Sequence, residues 1–504
     1  MKRRALMAAS LAILVLAAVA SAQGAPEQPA WWTGHNGVLD KYYVQPGYPP
    51  YPEHARYIGD LTGTWFEMGV QYGERAGDYV RLVFEGYYDQ IFRVVGDSEK
   101  MLSDGRLFGE YLAKLVPEAV EFLRGIAHGS EPELAKSVYA DYGDAFDKVL
   151  LINHYFALRR VLGNQYLGGG VVAWSERSSP PGDDELPACT GVVILGGIGG
   201  ASVDRMTYHG GTKDQVFFPQ LYQVTYTTTP SDPKAHRIWT LSSAGEIGGQ
   251  MAGNDKGVIV SGYAGGNAKD IWAYGLEWNI GVWYAATFAA TAEEAAAILT
   301  VGRPGYIEAT GEKIVTPAWG INWLISDKMN ARYVEAVPGR FAVRKPGDFG
   351  EGNFLVGTNH NLATWSYDHN NRLTDVPMTE YGDESGPYTG LSVSGTRYWT
   401  MFWNAKYNEG KIDREMVMSW YQNTYYITKE GVRVDYVWQD EYGWVSSHLL
   451  RLSPFRHSGL ESPWTGNTTD AKVGVAQDLA FYFTQGRGGD WVGPWDVLTL
   501  KYRQ

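Results

Sequence analysis

The stretch Pro187-Ala188-Cys189-Thr190-Gly191-Val192-Val193-Ile194-Leu195 carries the only cysteine among 504 residues. A thiol is a good nucleophile only as thiolate, and an ordinary pKa of about 8.5 leaves a few per cent in that form at neutral pH. One route to activation sets the cysteine at a helix N-terminus beside a histidine. Here Val192, Val193 and Ile194 follow, and β-branched residues favour a strand. A second route needs no histidine. If the Ala188–Cys189 bond is cut, Cys189 begins a new chain, and its own α-amino group, of pKa about 7.7–8.0, can take the thiol proton. The segment Ser178 to Glu185 just upstream is polar, acidic and broken by Pro180-Pro181, and reads as an exposed loop where a chain can be cut. The plain alternative is that Cys189 is a small buried hydrophobe.

Other chemistries find little support. The ten histidines include no H-E-x-x-H and no close pair with ligand spacing, so neither metal nor cofactor is expected. Gly390-Leu391-Ser392-Val393-Ser394 lacks the last glycine of a nucleophile elbow. No G-K-[ST] follows Gly196-Gly197-Ile198-Gly199-Gly200, which reads as a flexible hairpin. A formal charge of −13 repels phosphate backbones and argues against a nucleic-acid partner.

The elements that must position Cys189 divide at Cys189 itself. Residues 1–22 read as a signal peptide: a basic start (Lys2, Arg3, Arg4), a short apolar run and the A-x-A-like Ala20-Ser21-Ala22. The run is too short for a membrane span, so a secreted or periplasmic protein without an integral span is expected. An irregular Trp31–Tyr57 stretch precedes a mainly helical segment, 23–188 as a whole. Its helices start at the capping box Thr64-Trp65-Phe66-Glu67 and run to about Phe92, then cover Leu107–Leu115, Glu118–His128 and Ala145–Val161. Gly69, Gly73 and Gly77 recur every four residues, a stripe that admits another backbone. Residues 189–504 are strand-rich, with strands at Thr190–Leu195, Arg205–His209, Leu221–Thr228, Arg237–Leu241 and Val258–Tyr263. Helices return at Thr291–Leu299, with capping-box spacing to Glu294, and near Arg397–Tyr407; a closing strand spans Val497–Tyr502. The 34 tyrosines and 19 tryptophans supply aromatic surface for a core or a ligand cleft.

Motif order adds a likeness. Gly63-Thr64-Trp65-Phe66-Glu67-Met68-Gly69, Glu121-Phe122-Leu123-Arg124-Gly125-Ile126-Ala127-His128-Gly129, Leu150-Leu151-Ile152-Asn153, Cys189-Thr190-Gly191, Gly245-Glu246-Ile247-Gly248 through Asn254-Asp255-Lys256-Gly257-Val258, Thr358-Asn359-His360 and Ser394-Gly395-Thr396-Arg397-Tyr398 occur in sequence. Together they resemble the N-terminal-nucleophile hydrolases of the isopenicillin N acyltransferase type, related to choloylglycine hydrolase, acid ceramidase and the phospholipase B-like proteins.

The resemblance implies an α+β fold, a four-layer αββα sandwich, whose 189–504 part is the catalytic chain exposed by self-cleavage of a zymogen between Ala188 and Cys189. It implies that Asn359 donates to the oxyanion, Asp214 orients the new α-amino group, Arg397 anchors the site electrostatically and Asn254 lies near the oxyanion side. Gly210-Gly211-Thr212-Lys213-Asp214 departs from the group's "G-R-N-x-D", which counts against bile-salt and ceramide substrates. The reaction expected is hydrolysis or acyl transfer at a linear, non-peptide C–N amide of a small molecule through an acyl-enzyme, the two chains staying associated. A phospholipase B-like lipid esterase and a non-catalytic carbohydrate- or wall-binding protein are the alternatives.

Overall fold

The computed structural model describes residues 55–158, 189–216, 222–265, 273–359, 361–363, 366–367, 373–374, 392–421, 425–427, 433–435, 467–484 and 496–500. The expected signal peptide, residues 178–185 and Ala188 lie outside these residues.

Strand β1 (Arg56–Gly63) opens the described chain, followed by helices α1 (Trp65–Val95), α2 (Ser98–Leu115), α3 (Pro117–Leu134) and α4 (Ala145–Asn153). Then come β2 (Gly191–Ile194), β3 (Tyr208–Val216), β4 (Gln223–Pro230), β5 (Ile238–Ser243), β6 (Met251–Asn254) and β7 (Ile259–Ala264). Helices α5 (Trp278–Phe288), α6 (Ala292–Thr300) and α7 (Tyr306–Thr310) lead to β8 (Ile321–Ser326), β9 (Ala331–Val337), β10 (Arg340–Arg344) and β11 (Phe354–Gly357). Two short ribbons, β12 (Ser366–Tyr367) with β13 (Leu373–Thr374) and β14 (Tyr425–Ile427) with β15 (Arg433–Asp435), flank α8 (Ser392–Asn408) and α9 (Arg414–Trp420). The chain closes with β16 (Asn467–Val475), β17 (Ala480–Thr484) and β18 (Asp496–Thr499).

Among the described residues, eight strands form one sheet in the order β1-β4-β5-β6-β7-β8-β9-β10, and six form the other in the order β11-β2-β3-β16-β17-β18. Helices α1–α7 cover the outer face of the first sheet in one continuous apolar cluster. Helices α8 and α9 cover the outer face of the second, where Tyr398, Met401 and Phe402 pack on Val192, Ile194 and Tyr208. Between the sheets, Trp239 stacks on Phe481 at 4.1 Å and Val193 packs with Tyr263, Leu324 and Tyr333. The result is the expected four-layer αββα sandwich. Along β2, residues 192 and 194 face the helices while 193 faces the other sheet, the period-two alternation of a strand buried on both sides.

Local chemistry explains the helices. Thr64 Oγ1 accepts from Glu67 N–H and Glu67 returns a bond to Thr64 N–H, the reciprocal cap expected at α1. The glycine stripe seats α1 against α3. A Cβ on Gly69 would lie 2.2 Å from Phe122 O, and one on Gly125 2.2 Å from Phe66 O. At α6 the box is only half formed: Thr291 Oγ1 accepts from Glu294 N–H, but Glu294 takes Ala290 N–H rather than that of the cap. The Arg56–Gly63 stretch, read as the end of an irregular segment and the approach to a helix, is a parallel edge strand on β4 with a register shift between Tyr57 and Asp60. Its burial does not alternate, so no period-two signal marks it.

Candidate active site

Cys189 stands just before β2 and is 2% exposed. It packs between the sheets with Val193, Leu195, Tyr263, Tyr333 and Leu355. Strands β2 and β11 are antiparallel with Gly191 opposite Gly357. Two residues further along each strand, the same register sets Cys189 opposite Asn359. There a side chain continues the ladder: Cys189 N–H donates to Asn359 Oδ1 at 2.7 Å, while Asn359 Nδ2 donates to Ala264 O at 2.8 Å. The two contacts fix the orientation of the amide, since an N–H needs the oxygen and a carbonyl needs the nitrogen. Asn359 therefore ties the Cys189 nitrogen to the end of β7 in the opposite sheet.

The loop carrying Asn359 is held by a buried charge cluster. Arg344 Nε donates to Glu335 Oε1 at 2.8 Å, and its Nη2 to Val356 O at 2.9 Å. Glu335 accepts Leu362 N–H and Ala363 N–H, each at 2.9 Å, and Tyr333 OH donates to Thr358 O at 2.6 Å. Burial pushes the Glu351 carboxyl above its ordinary value, against the opposing pull of Arg344. With bonds before and after Asn359, the turn has little freedom to swing.

Cys189 opens onto a pocket lined by Phe156, Gln250, Gly262, Ala264, Trp278 and Trp319. Glu277 sets two of these walls, accepting Ala157 N–H at 2.8 Å and Trp319 Nε1–H at 2.9 Å. Phe156 comes from the segment before the expected cut, so both pieces of the chain build the pocket. The same pieces meet at the turn leading to Gln250. Asn153 Nδ2 donates to Gly245 O at 2.8 Å, Ile247 N–H donates to Asn153 Oδ1 at 3.1 Å, and Tyr87 OH donates to Glu246 at 2.7 Å. Two motifs read separately in the sequence are thus hydrogen-bonded partners.

A neutral relay runs beside the thiol. Tyr263 OH lies 2.7 Å from Ser261 Oγ, which lies 2.7 Å from His209 Nε2, while His209 Nδ1 faces Ser326 Oγ at 2.9 Å. Burial lowers His209 to about 3 and holds Tyr263 well above the usual phenol value, so both are uncharged at neutral pH. The phenol fits because Gly191 and Gly211 face it: a Cβ there would lie 2.1 and 3.0 Å from its oxygen.

Of the other expected site residues, Asn254 is buried and bonded away from Cys189. Its Nδ2 donates to Ala286 O and Ala289 O at 2.8 and 2.7 Å, and its Oδ1 accepts Lys256 and Val258 N–H, each at 3.0 Å. These bonds clamp the β6–β7 turn to the end of α5. Asp214 lies on β3 opposite Thr469, and Arg397 lies within α8; their side chains fall outside what is described. Motif reading did not single out Gln250, Tyr263 or Lys472. Gln250 lies inside the Gly245–Val258 motif and Tyr263 just beyond it, but only sheet packing shows which way they face. Among the described residues no His/Cys/Asp/Glu group has the makings of a metal site, and no helix is long and apolar enough to cross a membrane.

No protein-family model matches the sequence, and no curated protein sequence matches it. Solved structures superpose in part. An N-acylethanolamine-hydrolyzing acid amidase ortholog from Caenorhabditis elegans aligns at 11% identity and a TM-score of 0.33, covering 57% of this chain and 93% of that one. A variant of conjugated bile acid hydrolase from Clostridium perfringens aligns at 12% identity and 0.32, covering 63% and 93%. Penicillin V acylase from Agrobacterium tumefaciens aligns at 11% and 0.31, covering 62% and 87%.

Proposed function

We propose that this chain is an exported, self-processing cysteine amidase or acyltransferase of the N-terminal-nucleophile type. The observation that carries it is the 2.7 Å bond from Cys189 N–H to Asn359 Oδ1, with the thiol at an aromatic pocket. In maturation, Cys189 Sγ attacks the Ala188 carbonyl carbon. A thioester forms as the Ala188–Cys189 C–N bond breaks, the nitrogen takes the thiol proton, and water then releases Ala188 as a carboxylate. The freed α-amine inherits Asn359 as its acceptor. That bond occupies an N–H and leaves the nitrogen lone pair to serve as base for the thiol.

In turnover the amine takes the thiol proton and sulfur adds to the substrate amide carbonyl. The C–N bond breaks as the proton passes to the leaving amine, and water or a second amine resolves the thioester acyl-enzyme. Asn359 stands at the strand end from which an amide donates to the oxyanion, with Asp214 orienting the α-amine and Arg397 supplying charge. Phe156, Trp278 and Trp319 favour an apolar acyl group. The apolar cluster spanning 58–158 and 222–336 supports two pieces that remain together after cleavage. N-terminal sequencing of purified protein tests the reading. A fragment beginning Cys-Thr-Gly is expected, with Cys189→Ala staying whole; fully active, uncut wild type overturns it. An amide-versus-ester panel decides between amidase and lipid esterase.

A further inference from the structure

Lys472 is buried at 1% exposure on β16, directly opposite Gly211 on β3. An ammonium deep between sheets is costly unless its surroundings use the charge. Its Nζ donates to Gln250 Oε1 at 3.0 Å, and Gln250, also 1% exposed, lines the pocket with Cys189. With the oxygen claimed by Lys472, the amide cannot flip. Its nitrogen is fixed toward β3, where one N–H donates to Thr212 O. Thr212 is in turn bonded to the residue after the nucleophile, since Thr212 N–H donates to Thr190 O at 2.9 Å and Thr190 N–H to Thr212 Oγ1 at 3.1 Å. The second N–H of Gln250 has no protein acceptor among the described residues.

We infer that Gln250 is a catalytic residue that donates its second N–H to the carbonyl oxygen of the substrate, and that Lys472 is the positioning residue behind it. The assignment rests on Cys189 as nucleophile. Gly211 leaves this stretch of β3 without a side chain, and the lysine of the neighbouring strand brings positive charge to the same face. That charge withdraws electrons from the Gln250 amide through its oxygen, making the N–H a stronger donor as negative charge builds on the carbonyl oxygen.

The test uses the full-length chain after maturation, with two readouts. Iodoacetamide labelling of the folded fraction from size exclusion counts reactive Cys189, and hydrolysis of a linear-acyl aminocoumarin amide by that same fraction gives kcat per labelled site. Gln250→Met removes the donor. Gln250→Glu also removes it, but keeps an oxygen for Lys472. Both are expected to lower kcat about 100-fold with KM within about threefold, while labelling rates stay within about twofold of wild type. Lys472→Met is expected to lose about tenfold in kcat, and Lys472→Arg to regain most of it. A Gln250→Met or Gln250→Glu enzyme with kcat per labelled site within threefold of wild type overturns this assignment alone. Wild type that resists labelling removes the nucleophile beneath it, and the assignment falls with it.

Discussion

Asn254 and Asn359 form the same kind of bonds with opposite consequences. Each accepts a backbone N–H at its side-chain oxygen and donates its nitrogen to a backbone carbonyl. Asn254 joins a hairpin to the end of a helix, and every group it touches is scaffold. Asn359 joins the ends of two sheets, and one of the groups it holds is the nitrogen of the candidate nucleophile. The residue type and its bonding are shared; the difference is what lies at the far end of the bond. A buried asparagine is therefore a scaffold residue or a site residue according to its partner, and substitution should separate the two along different axes.

The largest effect is expected at the thiol itself. Cys189→Ala should abolish both cleavage and turnover, read by intact mass and by hydrolysis of an amide panel, because no other nucleophile lines the pocket among the described residues. Asn359→Leu should come next, lowering kcat about 100- to 1000-fold while costing about 1–2 kcal/mol of stability. If the order reverses, with stability falling and activity surviving, Asn359 is a clamp like Asn254. Asn254→Ala strands the carbonyls of Ala286 and Ala289 and the Val258 N–H in the interior. It should cost about 3 kcal/mol in denaturant unfolding and leave the specific activity of folded protein within about twofold.

The effect that is smallest at neutral pH grows on acidification and sets the inter-sheet region against the helical coat. His209 between the sheets and His154, stacked on Phe108 at 4.7 Å, are both held down to about 3 by burial. A histidine lowered from an ordinary 6.5 binds its proton more readily unfolded than folded. The stability it contributes is whole above about pH 6.5 and is lost as pH falls toward 3, by up to about 1.4 kcal/mol per unit for each residue. His209→Gln should flatten the acid limb of the unfolding curve by one proton's worth. An unchanged slope would mean that His209 is not buried neutral.

How much of this was legible beforehand follows the range of each interaction. Thr64 and Glu67 are three residues apart, so their cap could be read directly, as could the stripe of Gly69, Gly73 and Gly77 that lets α3 approach. The strand character after Cys189 follows from stiff β-branched side chains. The β1 edge strand was missed because its burial has no period. Asp214 and Arg397, taken from the resemblance, are placed on β3 and α8 with their side chains outside the described residues.

The sequence by itself determined a single thiol at the head of a buried strand, the helical caps and the glycine seam, because each depends on neighbours along the chain. Tertiary structure alone decided that Asn359 meets Cys189, that Asn254 does not, and that Gln250, Tyr263 and Lys472 gather at the same place. Those meetings depend on strand register and on which face of one sheet packs on the other. A one-residue slip turns every side chain of a strand to the opposite face, so position along the chain cannot specify them.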